Sequence, residues 1–276
     1  MTILKLSKLF QANHKISLEQ FCTKEQYKNY IDNNLTFTNL ISSIKTILKE
    51  DKYIILRGLI NNSDGFFEVF VEEFGLFYGN IEKTGIKIDC DYTGCNRKAL
   101  GLHNDDAIDI NNQPKFGFIQ VTKTDPVLNV RNGVVVISEL VNKLKYENPE
   151  LLNSLINNPV PMLSYGVNYI DKKYDEILIK EPIIYKKYNE YHVRFDDSRI
   201  AHYYFKNKLK QSHSELSMIE EFIKASNSIK HEFNLECGDI FIHDNLTTLH
   251  DRSECSIEIN EDGSFNTREI MVCFSR

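Results

Sequence analysis

The sequence has no tryptophan, six prolines, and no apolar run that approaches a membrane span, which needs roughly 18–20 residues. Its first thirty residues mix Lys, His, Gln, Glu and Asn among the apolar positions, which excludes a signal-peptide core. The 33 basic and 39 acidic residues are spread evenly, so no strongly basic region predicts nucleic-acid or membrane-surface binding. We therefore expect a cytoplasmic protein with a small-molecule partner and neither nucleic acid nor membrane. The sequence leaves the oligomeric state open.

Cysteine pairs of the C-x-x-C type are also absent. The six cysteines are scattered, and the closest spacing is the C-x4-C of Cys90 and Cys95. Two such thiols could bind zinc, but no second Cys/His pair follows at zinc-finger spacing. We expect reduced, mostly structural thiols.

The chain of 276 residues is long enough for a sizeable core, and no repeat or low-complexity linker divides it. In the N-terminal part, apolar residues recur at helical spacing. Helices are predicted over "SLEQFCTKEQYKNYIDNN", "TFTNLISSIKTILKE" and "DGFFEVFVEEFGLFYG", with a buried strand at "YIILRGL".

After residue 85 the pattern changes to short apolar runs separated by turn residues. The Asp-Gly of "NEDGSF" predicts a hairpin, and helices are expected near 138–157 and 212–230. Many short strands in succession indicate an antiparallel sandwich or a jelly-roll barrel. The predicted fold is mainly β with flanking helices, as one domain over 1–276. Its helical part covers about 1–84 and its jelly-roll core about 85–276.

The stretch "GLHNDDAID" at 101–109 places a histidine before three aspartates. Residues two apart on a strand point to the same face, so His103 and Asp105 could share a metal. On that pattern Asp106 points the opposite way, and Asp109 lies too far along. A solvated acidic loop is the alternative. A 2-His-1-carboxylate site for non-haem Fe(II) also needs one further ligand from elsewhere in the fold.

A second polar segment, "GDIFIHDNLTTLHDRS", follows near the C-terminus. Its apolar strand could deliver His250 as the third ligand. His243, in the middle of the strand, is a rival ligand or a packed wall residue. Beyond the predicted hairpin, Arg268 could return to the site and form a bidentate pair with a carboxylate. The alternative for Arg268 is a surface arginine.

Together, "LHNDD", "GDIFIHDNLTTLHDR" and Arg268 resemble the Fe(II)/2-oxoglutarate-dependent oxygenases of the taurine dioxygenase and clavaminate synthase type. The likeness runs from about residue 45 to the C-terminus and implies a double-stranded β-helix (jelly-roll) barrel. It implies that His103, Asp105 and His250 bind iron and that Arg268 holds the 5-carboxylate of 2-oxoglutarate. The long interval between His250 and Arg268 is closer to the amino-acid hydroxylases of the clavaminate synthase branch.

Two positions depart from the family pattern. Many relatives have a threonine in a G-G-x-T segment, whose hydroxyl assists 2-oxoglutarate, whereas this chain has Val134 in "RNGVVV". Co-substrate binding must therefore depend on Arg268 or on a residue that the sequence does not identify. The family's H-G-R reads His250-Asp251-Arg252 here, which adds a carboxylate beside a metal ligand.

The resemblance implies an Fe(II) enzyme that uses 2-oxoglutarate and O2 as co-substrates and releases succinate and CO2. Because related halogenases have Gly or Ala at the position of Asp105, we expect hydroxylation rather than halogenation. The expected substrate is an amino acid or an amino-acid-derived metabolite, and its candidate contacts are Arg194, Asn104 and Asp106. For Arg194, an exposed strand arginine paired with a neighbouring aspartate is an equal alternative.

Three other functions remain open from the sequence. A desaturase or an isonitrile-forming oxidase would use the same ligands as a hydroxylase, because the outcome depends on which bond faces the metal. A hydroxylase of a protein or carrier-tethered substrate would need a wide cleft or a docking surface. A non-catalytic barrel that binds a metal or ligand is the least favoured, because it leaves the combination of the triad with Arg268 unexplained.

Overall fold

The computed structural model describes residues 2–6, 20–59, 63–87, 95–108, 113–164 and 176–276. Within these ranges the fold is rich in strands, with helices on both sides. The helices are α1 (Lys24–Asn33), α2 (Leu35–Asp51), α3 (Asp64–Glu72), α4 (Ile137–Glu147), α5 (Pro149–Asn157), α6 (Asp197–Lys206) and α7 (His213–Asn227). None of the helices described is long and apolar enough to cross a membrane.

The strands occur throughout the described part of the chain. They are β1 (Ile3–Lys5), β2 (Tyr53–Arg57), β3 (Phe77–Gly85), β4 (Leu100–His103), β5 (Phe116–Lys123), β6 (Arg131–Val136), β7 (Val160–Leu163), β8 (Leu178–Glu181), β9 (Ile184–Lys187), β10 (Glu190–Val193), β11 (His231–Asn234), β12 (Ile240–Asp244), β13 (Thr248–Arg252), β14 (Ile257–Ile259), β15 (Phe265–Thr267) and β16 (Glu269–Ser275).

Local sequence accounts for the N-terminal helices. At the start of α1, Thr23 and Gln26 form a capping box, and the Asn34 side chain accepts hydrogen bonds at the start of α2. The buried face of α2 carries apolar residues three and four apart (Phe37, Leu40, Ile41, Ile44, Leu48). Helix α2 ends where Lys52 adopts a left-handed conformation with φ of 69°.

Two sheets face each other. The six-stranded sheet has the order β1-β2-β12-β5-β16-β3, and the four-stranded sheet has the order β11-β6-β13-β4. Because side chains alternate along a strand, one face of the large sheet packs under α1, α2 and α3 through residues such as Ile54, Phe118 and Ile242. Its other face meets the small sheet, where Ile55 and Phe241 pack against Val134.

The far face of the small sheet is covered by the remaining helices. Leu102, Val135 and Leu249 belong to the same buried cluster as the apolar faces of α4, α5, α6 and α7. The molecule is therefore layered as helices, large sheet, small sheet and helices. The inner space between the two sheets is where β4 and β13 present their polar side chains.

Several predicted elements have different limits in the structure. The helix predicted over residues 64–79 ends at Glu72, and β3 then joins the large sheet. The helix predicted near 138–157 is two helices, because Asn148 is non-helical and its side chain caps α5. Helix α6 was not predicted. The hairpin at "NEDGSF" is present as the pair β14–β15.

One prediction about the cysteines is wrong. Cys95 is disulfide-bonded, whereas we expected reduced thiols at all positions. Cys90, the other half of the C-x4-C pair, lies outside the described residues. Cys22, Cys237, Cys255 and Cys273 are free, as expected.

Candidate metal centre

Two neighbouring strands bring His103 and His250 together. Strands β4 and β13 pair antiparallel with His250 opposite His103, and the two ring centroids are 4.3 Å apart. The Asp105 carboxylate lies against both rings, 3.8 Å from His103 Nε2 and 3.7 Å from His250 Nε2. One ligand atom from each residue can be chosen such that all lie within 4.8 Å of one another. Two imidazoles and one carboxylate on one side of an ion form a 2-His-1-carboxylate set.

Asp105 reaches this position from a turn and not from a strand. Strand β4 ends at His103, so the alternation that we used to group His103 with Asp105 does not apply. Instead, the Asp105 N–H donates to Asn245 Oδ1 at 2.8 Å, and Asn245 Nδ2 donates to the Asp105 carbonyl at 2.9 Å. Asn245 lies in the turn that joins β12 of the large sheet to β13 of the small sheet.

The electrostatics of the centre suit a cation. Burial raises the pKa of Asp105 to about 6, an effect that the neighbouring His103 partly offsets. Burial also holds the pKa of His250 well below its usual value, so this imidazole is neutral. A carboxylate withdrawn from water beside a neutral imidazole lacks a counter-charge, and a bound metal ion would supply it.

The orientation of His103 is fixed by its other ring nitrogen. His103 Nδ1 lies 2.9 Å from the Gly101 carbonyl oxygen. Because a carbonyl can only accept, Nδ1 carries the proton, and the lone pair of Nε2 is left for the centre. Hydrogen bonds of this kind orient metal-binding histidines and increase their basicity.

His243 forms the wall behind His250. It is fully buried, its Nδ1 lies 3.1 Å from Thr248 Oγ1, and its ring stacks on Phe241. The ring centroids of His243 and His250 are 4.6 Å apart. Burial lowers the pKa of His243 to about 3. A Cβ added at Gly117 would lie 2.3 Å from His243 Nε2, so this nitrogen points toward β5, and His250 is the histidine grouped with His103 and Asp105.

A cavity extends from the three candidate ligands between the sheets. Its polar lining includes Arg252 and Arg268 at one end and Glu82 on β3. The full lining is Glu82, Thr84, Leu100, His103, Asp105, Ile119, Asn132, Phe241, His250, Asp251, Arg252, Arg268, Ile270, Val272 and Phe274. Six of these residues are apolar and nine are polar or charged, and a cavity in which apolar walls meet convergent polar groups is a candidate small-molecule site.

The two arginines of the cavity differ in what they contact. Arg252 donates to the carbonyls of Asn96, Lys98 and Ser253 and to Cys255 Sγ, so it is committed to the surrounding chain. Arg268 is only 6% exposed, and burial lowers its pKa to about 10. Its guanidinium has no hydrogen-bond or ion-pair partner among the residues that the structure describes. A buried, unpaired cation favours an anionic ligand.

The structure does not bring Arg194 to the cavity. Arg194 is fully buried and donates to the carbonyl oxygens of Ala107, Val160, Ile179 and Glu181 at 2.5–3.4 Å. Its guanidinium thus joins the β7–β8 pair to the turn that carries Asp105. The alternative of an exposed strand arginine is wrong as well, because no part of the side chain reaches solvent.

Asn104 and Asp106 also have structural partners outside the cavity. Asn104 is 1% exposed, and its amide donates to the carbonyls of Val193 and Asn245. Asp106 has a φ of 49° and accepts a hydrogen bond from the Tyr78 hydroxyl at 3.1 Å. Both side chains brace the metal-binding turn, and neither lines the cavity.

Val134 and Asp251, the two residues that depart from the family pattern, both have partners that account for their positions. Val134 is fully buried on β6, directly opposite His250, and packs in the core between the sheets. Asp251 forms an ion pair of 2.7 Å with Lys230, and its Oδ1 occupies the space beside Gly133. The extra carboxylate is therefore neutralised by a lysine.

Comparison with known proteins shows which solved structures have a similar fold. Neither a protein-family model nor a curated protein sequence matches the chain. A crystal structure of asparagine oxygenase in complex with Fe(II), 2S,3S-3-hydroxyasparagine and succinate is similar, with a TM-score of 0.76 and 14% identity over 100% of this chain and 93% of that one. The chain has the fold of this oxygenase.

Two further structures support the same fold. The non-heme iron oxygenase OrfP in complex with Fe and alpha-ketoglutaric acid has a TM-score of 0.68 and 12% identity, over 100% of this chain and 94% of that one. A taurine dioxygenase from Burkholderia xenovorans has a TM-score of 0.59 and 14% identity, over 86% and 81%. The resemblance inferred from the sequence motifs is thereby confirmed at the level of the fold.

Sequence reasoning missed three residues that the structure brings to the site. Asn245 clamps Asp105, Glu82 puts a carboxylate in the cavity from β3, and Asn132 lines the cavity from β6. Asn245 follows Asp244 in the quoted motif and could have been noticed there. Nothing in the local sequence distinguishes Glu82 or Asn132 from other polar residues on a strand.

Proposed function

We propose that the protein is a non-haem Fe(II)- and 2-oxoglutarate-dependent oxygenase that oxidises a small molecule, most simply by hydroxylation. One observation carries the proposal: three candidate iron ligands line the same cavity as a buried arginine that has no partner among the described residues. His103, Asp105 and His250 bind the iron, and Arg268 binds the 5-carboxylate of 2-oxoglutarate. When bound, iron and 2-oxoglutarate activate O2 to oxidise a C–H bond, with release of succinate and CO2.

The residues of the chain have distinct tasks in this proposal. The Asp105 carboxylate would hold the iron at the position where related halogenases have Gly or Ala, which favours hydroxylation. Apolar side chains from both sheets, among them Phe241 and Ile270, exclude water from the reacting centre. Arg252 keeps its end of the cavity in shape through its bonds to backbone carbonyls.

The proposed substrate is an amino acid or an amino-acid-derived metabolite. Similar structures hold such compounds: hydroxyasparagine in asparagine oxygenase and (3S)-hydroxy-L-Arg in OrfP. In this chain, the Glu82 carboxylate lines the same cavity as Arg268. An ammonium group on the substrate would be complementary to that carboxylate.

We further propose that the facing sheets form a double-stranded β-helix (jelly roll) and that residues 1–276 make one oxygenase domain. Strands from both ends of the chain share the large sheet, since β1, β2 and β3 lie in it together with β12 and β16. The boundary expected near residue 84 thus falls at the end of a strand within the same sheet, which supports one domain.

The test is an anaerobic titration of the purified protein with Fe(II) and 2-oxoglutarate. Chelation of Fe(II) by the 2-oxo acid gives a weak visible charge-transfer band. We expect this band in the wild type, its loss in Asp105→Ala, and a requirement for much more 2-oxoglutarate in Arg268→Met. Arg131→Met is the matched control, because Arg131 is a surface residue whose side chain is 63% exposed.

The proposal is wrong if the wild type gives no band and Asp105→Ala binds iron as the wild type does. Once the band is established, succinate release is measured with each standard amino acid in turn. A flat response across all of them would contradict a free amino acid as substrate and leave the oxygenase assignment intact.

A further inference from the structure

Asn132 carries a buried amide that has no hydrogen-bond partner in the part of the chain that the structure describes. It is 9% exposed, its side chain lines the cavity, and it makes no hydrogen bond to any residue that the structure describes. Because the amide faces the cavity, a ligand that displaces water there must replace the hydrogen bonds of the carbamoyl group or lose free energy. Such a group in a cavity is therefore expected to bind a ligand.

The position of Asn132 relative to the metal centre follows from strand register. In the pair β6–β13, Val134 lies opposite His250, and Asn132 lies opposite Arg252. Residues two apart share a face and are separated by roughly 7 Å along the strand. Asn132 thus stands one pleat repeat beyond the metal position, on the same inner face, at the end of the cavity where Arg252 lies.

Arg268 lines this cavity from the side of the large sheet, whereas Asn132 lies on the small sheet. Arg268 precedes β16, whose Ile270, Val272 and Phe274 line the cavity, and it belongs to the same alternation. Arg252 affects the pKa of Arg268 by charge repulsion, so the two guanidinium groups are neighbours. Arg252 Nη1 and Nη2 are engaged with backbone carbonyls, whereas Arg268 and Asn132 donate no hydrogen bond to any residue within the described ranges.

We propose that Asn132 donates a hydrogen bond from Nδ2 to the distal carboxylate of 2-oxoglutarate, beside the bidentate contact of Arg268. This inference rests on the proposed function. A five-carbon dicarboxylate whose 1-carboxylate and 2-oxo oxygens were held at the metal position would reach about one pleat repeat, roughly 7 Å, with its far carboxylate. A carboxylate accepts more hydrogen bonds than one guanidinium supplies, and the amide fills a remaining acceptor position.

Asn132 would then be the second co-substrate contact, which the sequence alone does not identify. Val134, at the position of the family's threonine, is packed in the core and offers no donor. Asn132 lies on the same face of β6, two residues earlier, and replaces a hydroxyl with a longer side chain that ends in an N–H donor. Asn132 adds no charge, so Arg268 remains the single free cation at this end of the cavity among the described residues, for a single carboxylate.

The experiment compares two 2-oxo acids on anaerobic, Fe(II)-loaded protein by the charge-transfer band. 2-Oxoglutarate has the distal carboxylate, and 2-oxobutyrate lacks it. We expect Asn132→Ala to weaken 2-oxoglutarate binding about tenfold, the usual scale for one hydrogen bond to a charged group, and to leave 2-oxobutyrate unchanged. Asn132→Asp, which keeps the shape and introduces a repelling charge, should weaken 2-oxoglutarate further. Asn260→Ala, which removes an exposed amide outside the cavity, is the control and should leave both constants unchanged.

Three results would overturn the inference. These are equal 2-oxoglutarate affinity in Asn132→Ala and the wild type, an equal loss for both 2-oxo acids, or the same loss in Asn260→Ala as in Asn132→Ala. If Asn132→Ala does not fold, the isosteric Asn132→Asp decides alone, because undiminished 2-oxoglutarate binding in it excludes a carboxylate contact. A wild type without any band contradicts the proposed function itself, which is a different result.

Discussion

Asn245 holds Asp105 by two hydrogen bonds in opposite directions. It accepts from the Asp105 N–H at 2.8 Å and donates to the Asp105 carbonyl at 2.9 Å. The same amide donates to the Pro114 carbonyl at 3.1 Å, which ties the metal-binding turn to the start of β5. Since Asp105 lies outside any strand, this amide replaces the sheet ladder as the support of the carboxylate.

Loss of the hydrogen bonds between Asn245 and Asp105 should therefore weaken metal binding at the candidate site. We expect Asn245→Ala to reduce affinity for Fe(II), or for Mn(II) as a stable substitute, by about 10–100-fold, the range for residues that orient ligands. Isothermal titration of the metal measures it. Asn260→Ala, which removes an exposed amide bonded to Ser264, is the control and should bind metal normally. Unchanged affinity in Asn245→Ala would show that the turn holds Asp105 without the amide.

Metal affinity should depend on pH through Asp105. Burial raises the pKa of this carboxyl to about 6 in the metal-free protein, and a metal binds only the ionised form. Affinity is expected to be lost as the pH falls through 6, by at least about tenfold per unit below it, for one proton displaced. His250 adds no competition, because its pKa is held well below its usual value.

Titrations of Mn(II) between pH 5 and 8 measure this dependence. Burial also raises the pKa of Asp244 to about 6, but Asp244 is not among the three candidate ligands. Asp244→Asn is therefore the control, and it should keep the wild-type profile of metal affinity. An affinity that is constant from pH 8 to pH 5 would contradict the role assigned to Asp105.

A carboxyl whose pKa is raised on folding also affects stability. The folded protein binds more protons than the unfolded chain between about pH 4 and 6, so the contribution of Asp105 and Asp244 to the free energy of unfolding falls as the pH rises through that window. Bound metal should reverse the part that belongs to Asp105, because it stabilises the ionised form.

Gly117 should tolerate no side chain. A Cβ there would lie 2.3 Å from His243 Nε2, and the His243 ring is packed 4.6 Å from the ring of His250. We expect Gly117→Ala to lower the free energy of unfolding by about 1–3 kcal/mol through overpacking and to weaken metal binding through His250. Urea unfolding and metal titration measure the two effects.

The matched control is Gly101→Ala. Gly101 lies on β4 beside the metal centre, yet a Cβ added to it would meet nothing within 4 Å. Its carbonyl, which accepts from His103, is kept in the variant. This substitution should change stability by less than about 0.5 kcal/mol. Equal stability and equal metal affinity in the two variants would mean that the His243 ring can move away from an added side chain at little cost in free energy.

Arg194 should matter for stability and not for substrate. Its guanidinium satisfies four backbone carbonyls while fully buried. We expect Arg194→Lys to lower the free energy of unfolding by about 3 kcal/mol, because an ammonium cannot reach the same acceptors and a buried charge is left poorly bonded. Arg131→Lys, at the surface, should have no measurable effect. A stable Arg194→Lys with a raised KM for substrate would restore the substrate contact that the sequence suggested.

Local sequence predicted the elements whose signals are contained in a few turns of chain. Helix α2 was predictable because its apolar spacing and its Asn34 cap lie within one segment. The extent of α3 was not, because β3 alternates polar and apolar residues only weakly and is held by pairing with β16. The split between α4 and α5 at Asn148 follows from a cap that a helical repeat does not reveal.

The sequence by itself determined the chemistry of the candidate site. The ability of two histidines and an aspartate to bind a metal is a property of these side chains and does not depend on how they pack. Tertiary structure decided which polar residues meet. It grouped Asp105 with the histidines through Asn245, turned Arg194 away toward backbone carbonyls, and put Asn132 at the cavity end with Arg268. The physical reason is strand register: pairing between distant segments sets which side chains share a face, and no local pattern encodes that pairing.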